Sequence, residues 1–203
     1  MHAALGDPHR LAVVDLLAHS DRSPGYLATA TGLEPNLIAH HLRVLERAGV
    51  VEVRRSEGDG RRRYVRLLDT AAAQPTTMPD QPVVFVCTHN SARSQLAEAL
   101  WRTRVGGSVS SAGTHPAPAV HPLAAAVARE RGLNGVAAAV PREIGSLDGV
   151  VVVSVCDRAA EELAQPDLHW SIPDPVAVGT DAAFVAAFDA IEAWVDRTQR
   201  KEP

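Results

Sequence analysis

The sequence predicts two domains: a small, mostly helical one closed by a β-hairpin, and a larger α/β one with a parallel sheet flanked by helices. Three observations predict this. The 203 residues exceed what one small domain needs, since domains average about 150 residues. The stretch Thr70-Ala71-Ala72-Ala73-Gln74-Pro75-Thr76-Thr77-Met78-Pro79-Asp80-Gln81-Pro82 is proline-bearing, small and polar, has no apolar period, and reads as a linker. The halves on either side also differ in pattern. The first is helical to about residue 50 and the second alternates strand-like with helix-like runs. The resulting boundaries are 1–69, 70–82 and 83–203.

Composition excludes several classes. With 46% hydrophobic and 22% charged residues, neither wholesale disorder nor a coiled coil is expected. No run approaches the ~18 apolar residues of a membrane span. Met1-His2-Ala3-Ala4-Leu5-Gly6-Asp7-Pro8 lacks a basic start followed by an apolar core, so secretion is not signalled. Two cysteines, Cys87 and Cys156, cannot make a disulfide framework. A cytoplasmic protein with no membrane partner is expected. The net charge of −4 divides into +1 over 1–74 and −5 over 75–203. Within the first half, 54–66 holds six arginines against Glu57 and Asp59, a local excess that suits a polyanion.

In the first half, apolar residues at Leu11, Val13, Val14, Leu16 and Leu17 fit a helix buried on one side. Ser23-Pro24 supplies an N-cap with proline in the first helical turn, and this second helix stops at Thr31-Gly32. A third helix begins near Glu34-Pro35, takes Leu37, Ile38, His41, Leu42 and Leu45 as its inner face, and ends at Ala48-Gly49. Val50-Val51-Glu52-Val53 and Tyr64-Val65-Arg66-Leu67-Leu68 flank Glu57-Gly58-Asp59-Gly60, a turn between two strands. This is the order of a winged helix-turn-helix, mostly α with a β-hairpin wing.

A helix after a short turn can lie in the major groove of DNA and offer its first turns to base edges. The outward positions are Asn36, Ala39, His40 and Arg43; Asn can pair with adenine and Arg with guanine or phosphate. Arg61, Arg62 and Arg63 of the hairpin are placed to clasp backbone phosphate. A double-stranded DNA operator is therefore the expected partner, set against a small helical domain used for protein contact. His2, His9, His19, His40 and His41 lack convincing supporting ligands, and no metal site is expected.

Ala4-Leu5-Gly6-Asp7-Pro8-His9-Arg10-Leu11, Ala39-His40-His41-Leu42-Arg43-Val44-Leu45-Glu46-Arg47-Ala48-Gly49-Val50-Val51 and Asp59-Gly60-Arg61-Arg62-Arg63-Tyr64 resemble the ArsR family of metalloregulatory repressors. The resemblance implies operator binding as a homodimer. Two departures matter. Residues 1–74 hold no cysteine, which excludes a thiolate metalloid site there. The chain also offers little before Leu5, and a proline-bearing linker after Asp69, for the terminal helices through which such dimers form.

In the second half, Val83-Val84-Phe85-Val86 suits a strand buried in a parallel sheet. Cys87-Thr88-His89-Asn90-Ser91-Ala92-Arg93-Ser94 follows, and then a helix with Leu96, Leu100 and Trp101 on its apolar side. Strand, eight-residue loop and helix gather backbone N–H groups and a positive helix end around one small volume, an oxyanion cradle. Such donors and a nearby guanidinium favour a thiolate at Cys87. Arg93 can fork onto two oxygens of a tetrahedral anion, while Asn90 and Ser94 can donate to sulfur or fix the loop.

This half resembles the low-molecular-weight phosphotyrosine phosphatase fold over roughly 82–198, and more narrowly the arsenate reductases built on it. Ser110-Ser111-Ala112-Gly113-Thr114 matches a family loop and Val150-Val151-Val152-Val153-Ser154-Val155-Cys156-Asp157 a later strand and loop. Trp170-Ser171-Ile172-Pro173-Asp174-Pro175 matches the Asp-Pro loop. The resemblance implies Cys87 as nucleophile, Arg93 as oxyanion clamp and Asp174 as general acid, with Asp174 as a turn or N-cap aspartate the other reading. Phosphatases usually have proline after Arg-Ser and an aromatic after Asp-Pro; Gln95 and Val176 stand here. Both departures, with His169-Trp170 and the placing of Cys156, favour arsenate. Cys156 is read either as the reductases' second thiol or as a buried structural cysteine. Asn90 and Glu98 match two positions of the reductases' potassium site, but Ala137-Ala138-Ala139 stands where an acid is expected, so no metal is predicted. His115-Pro116-Ala117-Pro118-Ala119-Val120-His121 reads as a rigid surface loop.

The expected function is arsenate reductase fused to an ArsR-like regulator, with no bound cofactor and an external thiol as reductant. Thioredoxin-served reductases use a third cysteine seven residues after the second, where Leu163 stands. Nineteen arginines against one lysine, with abundant alanine, valine and proline, resemble high-GC actinobacterial proteins. A mycothiol and mycoredoxin-type partner is accordingly favoured, with thioredoxin as the alternative. Two other functions stay open: a non-catalytic regulator responding to an oxyanion or arsenic species, and a low-molecular-weight protein-tyrosine phosphatase.

Overall fold

The computed structural model describes residues 2–68, 81–163 and 166–198. Residues 70–80 of the expected linker lie outside the described residues. The chain forms two compact units.

The N-terminal unit runs α1 (His2–Leu5), α2 (Pro8–Leu17), α3 (Pro24–Thr31), α4 (Pro35–Arg47), β1 (Val51–Arg55) and β2 (Arg63–Leu67). Its caps are those that the sequence supplies. Asp7 accepts the N–H groups of His9 and Arg10 at the start of α2, and Ser23 Oγ accepts that of Tyr26 at the start of α3. Gly32 takes φ +68°, a left-handed turn that separates α3 from α4. Val13, Val14, Leu17, Leu27, Ile38, Leu42, Leu45, Val51, Val65 and Leu67 form the core. β1 and β2 pair antiparallel, Val51 opposite Leu67 and Arg55 opposite Arg63. One expectation for the third helix fails. Leu37 is exposed, because adjacent residues on a helix lie about 100° apart and Ile38 takes the inward direction.

Arg66 belongs to the basic run but turns inward. It forks onto the carboxylate of buried Asp21 at 2.8–3.2 Å. Its charge is therefore used within the fold, whereas Arg61, Arg62 and Arg63 are exposed.

The C-terminal unit runs β3 (Val83–Cys87), α5 (Arg93–Arg104), β4 (Val109–Gly113), α6 (Pro122–Glu130), β5 (Val151–Ser154), α7 (Asp157–Glu162), β6 (Leu168–His169), α8 (Pro175–Val178) and α9 (Asp181–Thr198), with a 3-10 turn at Val136–Ala138. All sheet pairs are parallel and the strand order is β4-β3-β5-β6. Every residue of β3 and β5 is buried, as expected of strands covered on both faces. Phe85 packs on Trp101 and Trp170, and Trp170 stacks on Trp194 of α9 with ring centroids 5.7 Å apart. The residues expected as a loop at 110–114 are instead β4 through Gly113, because they pair with β3 from Val83 opposite Val109 to Cys87 opposite Gly113. The chain leaves β3 toward β4 on one side and later adds β5 on the other. The ends of β3 and β5 thus flank a topological switch point, where open α/β sheets bind ligands. Among the described residues, no helix is long and apolar enough to cross a membrane.

Candidate functional site

Cys87 ends β3 and Cys156 follows β5, so adjacent parallel strands deliver both thiols to the same end of the sheet. Both are buried and free. Between β3 and α5 the chain wraps around Cys87 Sγ. Ser94 Oγ lies 3.0 Å from it, and the Asn90 N–H donates to it at 3.2 Å. Asn90 takes φ +46°, a left-handed conformation that asparagine tolerates better than most residues.

The outer side of this loop is tied down. The carbonyls of Cys87, Thr88, His89 and Ser91 accept N–H groups from Thr114, His115, Ala117 and His121 at 2.7–3.1 Å. The proline-rich segment 115–121 is therefore the buttress of the loop as well as a surface feature. Gly113 completes the support, because a Cβ there would stand 2.8 Å from the Thr88 carbonyl oxygen and 3.0 Å from Asn90 N. These bonds engage the carbonyls of the loop; loops whose N–H groups converge on one concavity can bind anions.

Asn90 is the hub of the supporting network. Its amide donates to Ser94 Oγ at 2.8 Å and to Ser111 Oγ at 2.9 Å, and its carbonyl accepts from Gln95 Nε2 at 3.1 Å and Arg142 N at 2.9 Å. Ser111 Oγ in turn donates to Glu98 at 2.5 Å. Glu98 is also paired with Arg102 and lies 3.7 Å from Arg142, so guanidinium groups of the chain already neutralise this buried carboxylate.

Arg93 opens α5 and is buried. Its NH1 donates to the Ile172 carbonyl at 2.9 Å and its NH2 lies 3.3 Å from Asp174 Oδ1. Asp174 makes two contacts of its own. It caps α8 by accepting the Val176 N–H at 3.2 Å, and it also reaches the arginine of the loop. Thr88 Oγ1 lies 3.5 Å from Cys156 Sγ, and the Ala159 N–H donates to the same sulfur at 3.4 Å. Burial pushes the Cys156 thiol up; the Arg93 charge pulls it down and a charge on Cys87 pushes it further up, and the net shift is upward. Cys156 is therefore held as the neutral thiol.

Residues 82–200 match the low molecular weight phosphotyrosine protein phosphatase family, more than half of the chain. The chain belongs to that family. The tyrosine phosphatase amsI of Erwinia amylovora is 17% identical over 58% of this chain and 90% of its own, with a TM-score of 0.52. The tyrosine phosphatase Wzb of Escherichia coli K30 is 20% identical over 58% of this chain and 94% of its own, with a TM-score of 0.51. These likenesses establish the fold. Residues 5–54 match a helix-turn-helix domain. An HTH-type transcriptional regulator of Mycobacterium tuberculosis is 39% identical over 64 residues, 32% of this chain. That match spans only 27% of the regulator's length. The protein thus joins a winged helix-turn-helix domain to a domain of the low molecular weight phosphotyrosine protein phosphatase family.

On the helix-turn-helix unit, Asn36, Ala39, His40 and Arg43 are all exposed along α4, and Arg61, Arg62 and Arg63 are exposed at the wing. His41 turns inward beneath them. Burial lowers its pKa despite the opposing pull of Asp7, which keeps the imidazole neutral at neutral pH.

A buried pair that sequence reading missed braces the end of β5. His169 Nε2 lies 3.0 Å from Asp157 Oδ1, both side chains are buried, and Ser154 Oγ lies 2.8 Å from His169 Nδ1. Burial works to raise the Asp157 pKa, but hydrogen bonds from His169 and Ser171 outweigh it and hold the carboxyl below its ordinary range. A carboxyl lowered by folding contributes stability above its unfolded pKa of about 3.9, and that contribution is lost as pH falls through the lower folded value. Acidification below about pH 4 should therefore destabilise this domain. In Asp157→Asn the pH dependence should flatten over that window, which thermal unfolding at a series of pH values will measure.

Proposed function

We propose that the C-terminal domain is a thiol-dependent arsenate reductase and that the N-terminal domain binds an operator, so that one chain joins detoxification to transcriptional control. The observation that carries the enzymatic reading is the pair of departures from the phosphatase pattern beside Cys87 and Asp174, Gln95 and Val176. Phosphate-ester hydrolysis needs one thiol; reducing arsenic from the +5 to the +3 state needs two to supply two electrons, of which Cys87 is one and the other comes from outside the chain. Gln95 holds Asn90 where phosphatases of this fold usually have proline, and Val176 offers no aromatic ring beside Asp174 for an aryl ester.

In this reading the loop and Arg93 hold arsenate, and the Cys87 thiolate attacks arsenic. Asp174 protonates the departing oxygen, which leaves as water and yields an S–As bond. A second thiolate then attacks Cys87 sulfur. The S–As electron pair stays on arsenic, arsenite leaves, and Cys87 is left in a disulfide that a further thiol reduces.

The second thiol in this scheme is external, of the mycothiol and mycoredoxin type. Cys156 is held protonated by its burial, and Leu163 ends any relay to a cysteine seven residues on. Cys156→Ser should therefore keep within about threefold of wild-type turnover with a small-thiol system. Loss of turnover in a folded Cys156→Ser chain would assign the second step to Cys156.

For the N-terminal domain, the exposed α4 residues would meet base edges and the wing arginines would meet phosphate, with a homodimer reading two half-sites. Replacing Arg61, Arg62 and Arg63 together by alanine should weaken binding to a mixed-sequence duplex about a hundredfold. It should also reduce the slope of log affinity against log salt by about 2–3. A titration at several salt concentrations measures both, and an unchanged slope would remove the wing from the interface.

A further inference from the structure

The helix-turn-helix unit holds a cluster that its DNA-binding role does not use. Asp7, His9 and His41 come together from the start of α2 and the inner side of α4, with one ligand-capable atom of each within 4.8 Å of the others. His9 Nδ1 lies 3.7 Å and His41 Nδ1 4.0 Å from Asp7 Oδ1. The His9 and His41 rings stand 5.8 Å apart between centroids. The side chain of His41 is 7% exposed, and its Nδ1 is a buried atom with no hydrogen-bond partner. Buried polar atoms are nearly always satisfied, so this nitrogen facing a carboxylate marks a place for a ligand.

We propose that Asp7, His9 and His41 form a binding site for a first-row divalent cation of zinc type, bridging α2 and the DNA-facing helix α4. Two imidazoles and one carboxylate are ligands that such ions accept, with water completing a tetrahedral set. Ligand atoms about 2.0–2.1 Å from zinc lie about 3.3 Å from one another, so the cluster must close by less than about 1.5 Å along its longest edge. His9 supplies that movement, since its side chain is 49% exposed and free to change rotamer, while buried His41 provides the fixed point. The exposed side also leaves room for the water. Asp7 Oδ1 already accepts the N–H groups of His9 and Arg10, and Arg10 NH1 lies 3.7 Å from Oδ2. A carboxylate has enough lone pairs to keep the cap and bind a cation as well. No cysteine takes part, so this site differs in ligand chemistry from a thiolate metalloid sensor. A cation here would fix α4 against α2 and so set the pose of Asn36, Ala39, His40 and Arg43.

The test uses the full, reduced chain titrated with Co2+ alone and then with Zn2+. The expected result is one Co2+ per chain with visible d–d bands, no thiolate charge-transfer band in the near ultraviolet, and displacement by an equivalent of Zn2+. His9→Gln, a surface change that should leave circular dichroism unaltered, should weaken binding by more than about tenfold, the loss that even an outer-shell partner can cause. Asp7→Asn keeps a capping side chain and should weaken it similarly. No Co2+ uptake, equal affinity in His9→Gln, or bands that vanish in a Cys87→Ser, Cys156→Ser chain would each overturn the proposal.

Discussion

Cys87→Ser should reduce thiol-dependent arsenate turnover by about 10⁴-fold or more, while leaving DNA binding and the fold intact. The magnitude follows from what is removed. A serine hydroxyl in the same cradle would still receive the Asn90 N–H and lie beside Ser94, but it is neither ionised at neutral pH nor able to take part in a redox step. The substitution is nearly isosteric in a buried site, so loss through unfolding is not expected. The check is arsenite release by the variant under single-turnover conditions, with circular dichroism alongside. Turnover within tenfold of wild type would take the nucleophile's role away from Cys87.

Arg93→Lys should cost about 10²–10³-fold in kcat/KM for arsenate despite keeping the charge. The guanidinium is held by two contacts, NH1 to the Ile172 carbonyl and NH2 to Asp174. Those contacts fix the plane of the guanidinium at the start of α5, and its remaining N–H groups can still donate to the oxygens of a tetrahedral anion. Lysine offers a single point of charge on a flexible stem and cannot hold both anchors while reaching an anion. The buried site makes the loss larger than it would be at a surface. Steady-state kinetics would show the effect in both kcat and KM. A change in KM alone would mean that Arg93 binds substrate without favouring the transition state.

Much of this was legible in the sequence where the signal is local. Ser23-Pro24, Thr31-Gly32 and the Asp-Gly turn are chain-local instructions, and they produce the helix-turn-helix and wing as read. The strand–loop–helix spacing around Cys87 likewise predicts an anion cradle. What escaped depends on contacts between distant segments. Ser111 meets Asn90 because β4 pairs with β3 in a register that sets Phe85 opposite Ser111. His169 meets Asp157 because β6 pairs with β5, setting Ser154 opposite His169. Leu37 misled for a different reason: it and Ile38 are equally apolar, and only tertiary packing chose which faces in. Asp7 drew no notice as a partner of His41, since 34 positions separate them and only helix packing joins them. Gln95 was read as a departure from the phosphatase pattern, but its amide bond to Asn90 gives it a task within the loop.

The central claim is that this phosphatase-family domain passes electrons to arsenate instead of hydrolysing phosphate esters. The most direct measurement supplies the purified full-length chain with arsenate and a mycothiol system, counts arsenite formed and thiols oxidised, and compares kcat/KM with that for an aryl phosphate. The account predicts arsenite at two thiols oxidised per arsenate, with kcat/KM for arsenate at least about tenfold above that for the ester. Rapid ester hydrolysis with no arsenite formed would contradict it.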